Sequence, residues 1–253
     1  MKGTFFKKPL EIQILIEGEN FQQGQNIQGK LLIKNLGSKA IDINLWGVNL
    51  CFGDYKKVKL NNIESFEIID RKQFEIKSPL LANQTSELDF NFHLSNNALI
   101  TESSGGVYLS VSEINEIATG SLELPIKPHP FISKIIEIIE RFYRFKIKTI
   151  KNKKDQLEFK LIPPLSKDHS HIQQLDLSTK LQSDNTLNLK FNFRTNKINL
   201  EASTLALKKQ NEGFNLNLTS KDYLFNNSVI NQELVLQKLQ IIFDDLKANK
   251  KMI

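Results

Sequence analysis

Asp168, His169, Ser170 and His171 form the run of this chain whose residue types come nearest to a catalytic or metal-binding set. In an extended segment residues two apart face the same side, so His169 and His171 could share a metal ion. A structural zinc site wants four ligands, and Cys51, His93 and His129 are far off in sequence. The plainer reading is a solvated loop after Pro163-Pro164. No Gly-x-Ser-x-Gly elbow is present. Ser103-Ser104-Gly105-Gly106 lacks the Gly-Lys-Ser/Thr ending and following helix of a phosphate loop. Cys51, the single cysteine, lies in the apolar run Leu45 to Phe52 and reads as a small buried hydrophobe, not a nucleophile. No catalytic, cofactor-binding or metal-ligating residue is assigned, and the chain is expected not to be an enzyme.

Charge is the stronger signal. Net charge is +6, but residues 1–128 hold 13 Lys+Arg against 15 Asp+Glu, while residues 129–253 hold 21 against 13. The window 141–160 carries eight basic residues against Asp155 and Glu158, a surplus equal to that of the whole chain. Arg141, Arg144, Lys146, Lys148, Lys151, Lys153 and Lys154 are therefore the candidate site for an anionic partner. Such a ridge could attract anionic lipid headgroups at up to ~1 kcal/mol per charge, meet an acidic protein tail, or be only a solvated hairpin. Nucleic acid is disfavoured, because Phe142, Tyr143 and Phe145 sit at core-like positions instead of forming a stacking platform.

The elements that carry these residues follow from periodicity. Leu10, Ile12, Ile14 and Ile16 alternate with Glu11, Gln13 and Leu15 as a half-buried strand, and Ile27, Leu31 and Ile33 continue into a second. Asn35-Leu36-Gly37-Ser38 is a turn. The segment Ile41 to Phe52 is apolar on both faces, as a doubly buried strand would be. Further strands are expected at Ile63–Ile69, Gln73–Ile76, Ser86–Leu94, Val107–Val111 and Ile117–Ile126. Seven or so short strands with regular turns point to an antiparallel β-sandwich.

Pro130 to Phe145 breaks this pattern. Pro130 suits a first helical position, and Ile132, Ile135, Ile136, Ile139, Phe142 and Tyr143 recur on one face. Phe145–Ile150 and Gln156–Ile162 then read as a hairpin closed around residues 152–155. Strands at Leu175–Leu181 and Leu187–Arg194 follow, then a hairpin of Asn199–Lys208 and Gly213–Thr219 turning at Gln210–Gly213. A second amphipathic helix spans 231–249, capped by Asn231 and buried through Val235, Leu239, Ile242 and Leu246. The lobe boundary is placed at Pro128-His129-Pro130. That gives an N-terminal sandwich over 1–128 and a C-terminal sandwich over 129–253, opened by helix 130–145 and closed by helix 231–249.

The order Phe21-Gln22-Gln23-Gly24-Gln25, Ile27 to Ile33, turn, then Ile41 to Val48, resembles the N-terminal lobe of arrestin-like proteins. Leu88 to Leu94, a loop and Gly106 to Val111 look like that lobe's later motif. A His-Pro helix ending in aromatics, a basic hairpin and a closing hairpin narrow the likeness to the prokaryotic sporulation-control branch. Gln23 and Gln25 stand where the turn usually has Pro and Glu, and Ser95 replaces a frequent Pro. The resemblance, over most of residues 8–222, implies two β-sandwich lobes and a non-enzymatic cytoplasmic scaffold that docks protein partners. The alternative expectation is a peripheral module docking on anionic membrane through the basic hairpin. No apolar run approaches the ~20 residues of a bilayer span, and residues 1–15 do not read as a signal peptide.

Overall fold

The computed structural model describes the chain apart from residues 44, 61–64, 77, 114–117, 167–168, 202–203, 226–228 and 249–253, with the backbone alone over 197–208. It divides into two compact units, Met1–Lys127 and Pro128–Ile253.

The first unit is built from two four-stranded antiparallel sheets. One runs β1 (Lys2–Lys7), β2 (Leu10–Ile16), β4 (Asn26–Asn35) and β7 (Thr85–His93); β3 (Phe21–Gln22) precedes β4. The other runs β6 (Phe66–Glu75), β5 (Leu45–Asp54), β8 (Gly105–Glu113) and β9 (Gly120–Leu124). A short helix, α1 (Tyr55–Lys59), follows β5, and β10 (Ile126–Lys127) pairs in parallel with β3. Alternation sets which face is buried: Ile12, Ile14, Ile27, Leu31 and Ile33 of one sheet, and Trp46, Val48, Leu109 and Val111 of the other, are closed from solvent. The sheets approach closely where Phe5 crosses to Gly120, since a Cβ on that glycine would lie 2.1 Å from the ring.

Two strand expectations change here. β1 was not expected from the sequence, yet it pairs with β2 along its whole length. The segments Ile63–Ile69 and Gln73–Ile76 are one strand, β6, from Phe66 onward; residue 63 lies outside the described residues. Asp70-Arg71-Lys72 looked like a break because it is polar, but on an exposed edge strand polar residues carry no such meaning. The expected start of the last strand at residue 117 also lies outside the described residues, and β9 begins at Gly120.

The turn at Asn35 is more than a polar connector. Asn35 is fully buried, and its Nδ2 donates to the carbonyls of Lys39, Leu80 and Leu81 at 2.8, 3.0 and 3.2 Å, while Oδ1 accepts from Gly37 N–H at 2.8 Å. Asn35→Ala leaves those groups without their partner. A loss of about 2–3 kcal/mol in urea unfolding is expected.

The second unit holds one five-stranded antiparallel meander: β11 (Lys146–Lys153), β12 (Gln156–Ile162), β13 (Ile172–Leu181), β14 (Leu187–Glu201) and β15 (Thr204–Leu218). It opens with α2 (Pro130–Phe142); after β15 come α3 (Ser220–Tyr223), the ladder of β16 (Leu224–Phe225) with β17 (Val229–Ile230), and α4 (Gln232–Ala248). Leu157, Phe159 and Leu161 of β12, Leu175, Leu177 and Leu181 of β13, and Leu187, Leu189, Phe191 and Phe193 of β14 share one buried face. The pattern reading of two facing sheets in this unit is refined: among the described residues the layer on this face is helical. Phe243 of α4 lies 5.7 Å from Phe193, and Tyr143, just beyond α2, stacks on Phe243 at 4.0 Å.

Two boundaries move for identifiable reasons. The first helix ends at Phe142 and not Phe145, because Arg144 adopts φ 58°, the left-handed conformation that stops a helix and turns the chain into β11. The turn expected at Gln210–Gly213 lies inside β15, where these residues face Asn192–Thr195. β15 is an edge strand with a solvated face, so Asn211, Glu212 and Gly213 do not interrupt it. β14 and β15 pair as far as Glu201 and Thr204, and residues 202–203 lie outside the described residues. Asn231 caps α4 as its type suggests, accepting from Leu234 N–H at 3.2 Å.

Candidate functional site

The basic hairpin forms as β11 and β12, with only Lys154 and Asp155 between the paired ends Lys153 and Gln156. Lys154 takes φ 55° in that turn. β11 is an edge strand, and its register with β12 shifts between Ile147 and Thr149. Lys148 is the extra residue of this bulge, so it does not continue the face of Lys146 as plain alternation would have it. Beyond the bulge Ile150 stands opposite the buried Phe159, and Lys151 opposite Glu158.

The register identifies the side of the sheet away from the apolar layer. Across it lie Lys146, Lys151 and Lys153 of β11, Lys160 of β12, Lys180 of β13, and Lys190 and Arg194 of β14. Set against these are Glu158, Asp176 and, in the turn, Asp155. Each carboxylate is engaged: Glu158 with Lys153 at 2.7 Å, Asp176 with Arg194 at 3.3 Å, and Asp155 with Lys180. The Glu158 hydrogen bond holds the Lys153 ammonium above its ordinary range, and the Lys180 hydrogen bond holds the Asp155 carboxyl below its own. Lys146, Lys151, Lys160 and Lys190 form no ion pair among the described residues. They are surplus charge on the face.

Of the seven residues picked from sequence, Lys146, Lys151 and Lys153 share this face. Lys148 projects from the bulge and Lys154 from the turn. Arg141 lies on α2, paired with Glu137 at 2.8 Å, and Arg144 occupies the bend beyond it. Lys180, Lys190 and Arg194 were missed because only cross-strand register brings them beside the hairpin. Parity along β13 and β14 was the available signal.

The histidine run is laid out differently from the extended segment expected of it. His169 to His171 is a turn, not an extended segment, so the premise that brought the two rings to one side fails. His169 Nδ1 lies 3.0 Å from Ser166 Oγ, and its ring packs edge-on against Phe145 at 5.7 Å. Asp168 lies outside the described residues. No group of three or more metal-ligating side chains occurs among the described residues. His129, at the expected lobe boundary, caps α2: its Nδ1 accepts from Phe131 N–H at 3.2 Å, and burial lowers its pKa. Cys51 is buried, its thiol pushed up to about 11 by burial, which removes thiolate character at neutral pH.

A mostly β chain, antiparallel apart from the β3–β10 pair, with one helix opening and another closing its second unit, has the arrestin-like fold. Among solved structures, Spo0M, the sporulation control protein of Bacillus subtilis, is similar in fold: it superposes with a TM-score of 0.67 at 15% identity, covering 93% of this chain and 98% of that one. The resemblance to the sporulation-control branch therefore stands at the level of fold. Two other structures overlap only slightly. The DNA-bound alkylpurine DNA glycosylase AlkC of Pseudomonas fluorescens gives 12% identity, 50% of this chain, 30% of that one and a TM-score of 0.28. The CARDB domain of the PF1109 protein of Pyrococcus furiosus, in complex with di-metal ions, gives 12%, 45%, 85% and 0.26. Neither carries an argument. No protein-family model and no curated protein matches the sequence.

Proposed function

We propose that this chain is a non-enzymatic adaptor that docks on an anionic partner through the open sheet face of its second unit. The observation that carries the reading is the set Lys146, Lys151, Lys160 and Lys190, four cations without an ion pair among the described residues, on one solvated face. A cluster that satisfied itself would offer no field to a partner; this one keeps several charges in reserve. The face favours a surface contact over strand addition at β11, since edge lysines and a bulge are the features that block edge-to-edge pairing. Every phenylalanine of β12 and β14, Phe159, Phe191 and Phe193, belongs to the buried side, so no ring is left there to stack a base. Spo0M is named a sporulation control protein, which accords with a regulatory, non-catalytic role. Cytoplasmic location remains part of the proposal. Among the described residues no helix is long and apolar enough to cross a membrane.

Lys151→Glu, Lys160→Glu and Lys190→Glu combined is the test, run on immobilised polyglutamate. The control reverses Lys56, Lys57 and Lys59, exposed residues of the first unit, and changes net charge equally. The triple on the sheet face is expected to elute at clearly lower salt than the control. Equal elution of the two would contradict the reading.

A further inference from the structure

We infer that the anionic partner is a lipid bilayer, and that Leu165 and Ile162 enter it beside the basic face. This rests on the reading of that face as a docking surface. Leu165 is fully exposed, at 108% of its reference area, and Ile162 is 45% exposed. Ile162 is the last residue of β12 and Leu165 follows it across the stiff Pro163-Pro164 pair, and Ile162 stands opposite Lys146 in the ladder. Apolar side chains displayed in this way are left in water by the fold, at a cost that burial elsewhere would recover.

Position makes the pair a wedge rather than scattered apolar surface. His169, further along the same loop, packs on Phe145, the residue just before β11. His169 is thereby placed beside the start of β11, where Arg144 and Lys146 are exposed. An apolar tip with cations around it matches the boundary between acyl chains and anionic headgroups. An acidic peptide would satisfy the lysines but would give Leu165 nothing to enter. That charge and apolar pattern selects the bilayer.

The test is co-sedimentation of the full chain with phosphatidylcholine vesicles containing about a third phosphatidylserine, against phosphatidylcholine alone. Binding to the acidic vesicles only, falling with salt, is expected. Leu165→Ser should weaken it about tenfold while leaving melting temperature and retention on polyglutamate unchanged, because the side chain makes no part of the core and the change adds no charge. Retention on polyglutamate without sedimentation would overturn the lipid inference and leave the docking face standing. Sedimentation of Leu165→Ser equal to that of the original chain would overturn the wedge. Loss of both polyglutamate and vesicle binding in the original chain would remove the docking face itself, and the lipid inference with it.

Discussion

Ile139→Asp is expected to unfold the second unit. Ile139 is completely buried on α2, among Ile132, Ile135, Ile136 and Ile138. A carboxylate there has no described cation within the apolar layer, so it must either ionise in a low-dielectric site or stay protonated with its pKa raised by several units. Lost isoleucine packing adds to that penalty. Together they amount to roughly 5 kcal/mol or more, comparable with the whole stability of a domain. The single tryptophan, Trp46, lies in the core of the first unit. Its emission should remain native-like in the variant while the near-ultraviolet dichroism of Tyr143 and Tyr223 is lost. Unchanged tyrosine dichroism would show that α2 is not part of the core.

Phe243→Ala is the second large effect. Phe243 joins three elements: it stacks on Tyr143 at 4.0 Å and lies 5.8 Å from Phe145 and 5.7 Å from Phe193. Truncation opens a cavity bounded by rings that are themselves fixed to the sheet and the end of α2, so little collapse can fill it. About 3–5 kcal/mol should be lost, read as a lower urea midpoint at constant m-value. Phe243→Leu should recover a large part of that, since it restores apolar volume without the stacking geometry. Equal losses for both variants would argue that ring stacking, and not volume, holds α4 to the sheet.

Periodicity revealed the strands whose faces differ in polarity, such as β2 and β12, and the two helices with their apolar stripes. It failed where burial does not oppose solvent. β6 and β15 are edge strands, so Asp70-Arg71-Lys72 and Gln210–Gly213 looked like breaks when both are continuous ladder. It also failed where one residue's backbone decides, as at Arg144, whose left-handed conformation ends α2 early. The candidate site shows the same division. The charge surplus of β11 is plain from composition, but its continuation through Lys190 depends on register across three strands, which no single strand encodes. The bulge at Lys148 breaks the alternation that would otherwise put Lys146 and Lys148 on one face.

The docking face itself is best tested by amine-acylation footprinting, comparing the purified chain with the chain in native lysate that retains its membranes. Lys146, Lys151, Lys160 and Lys190 are predicted to be acylated several-fold more slowly in the lysate, with Lys56, Lys57 and Lys59 unchanged. Equal acylation of the four in both settings, or slowing confined to the lysines of the first unit, would contradict the assignment of this sheet face as the docking surface.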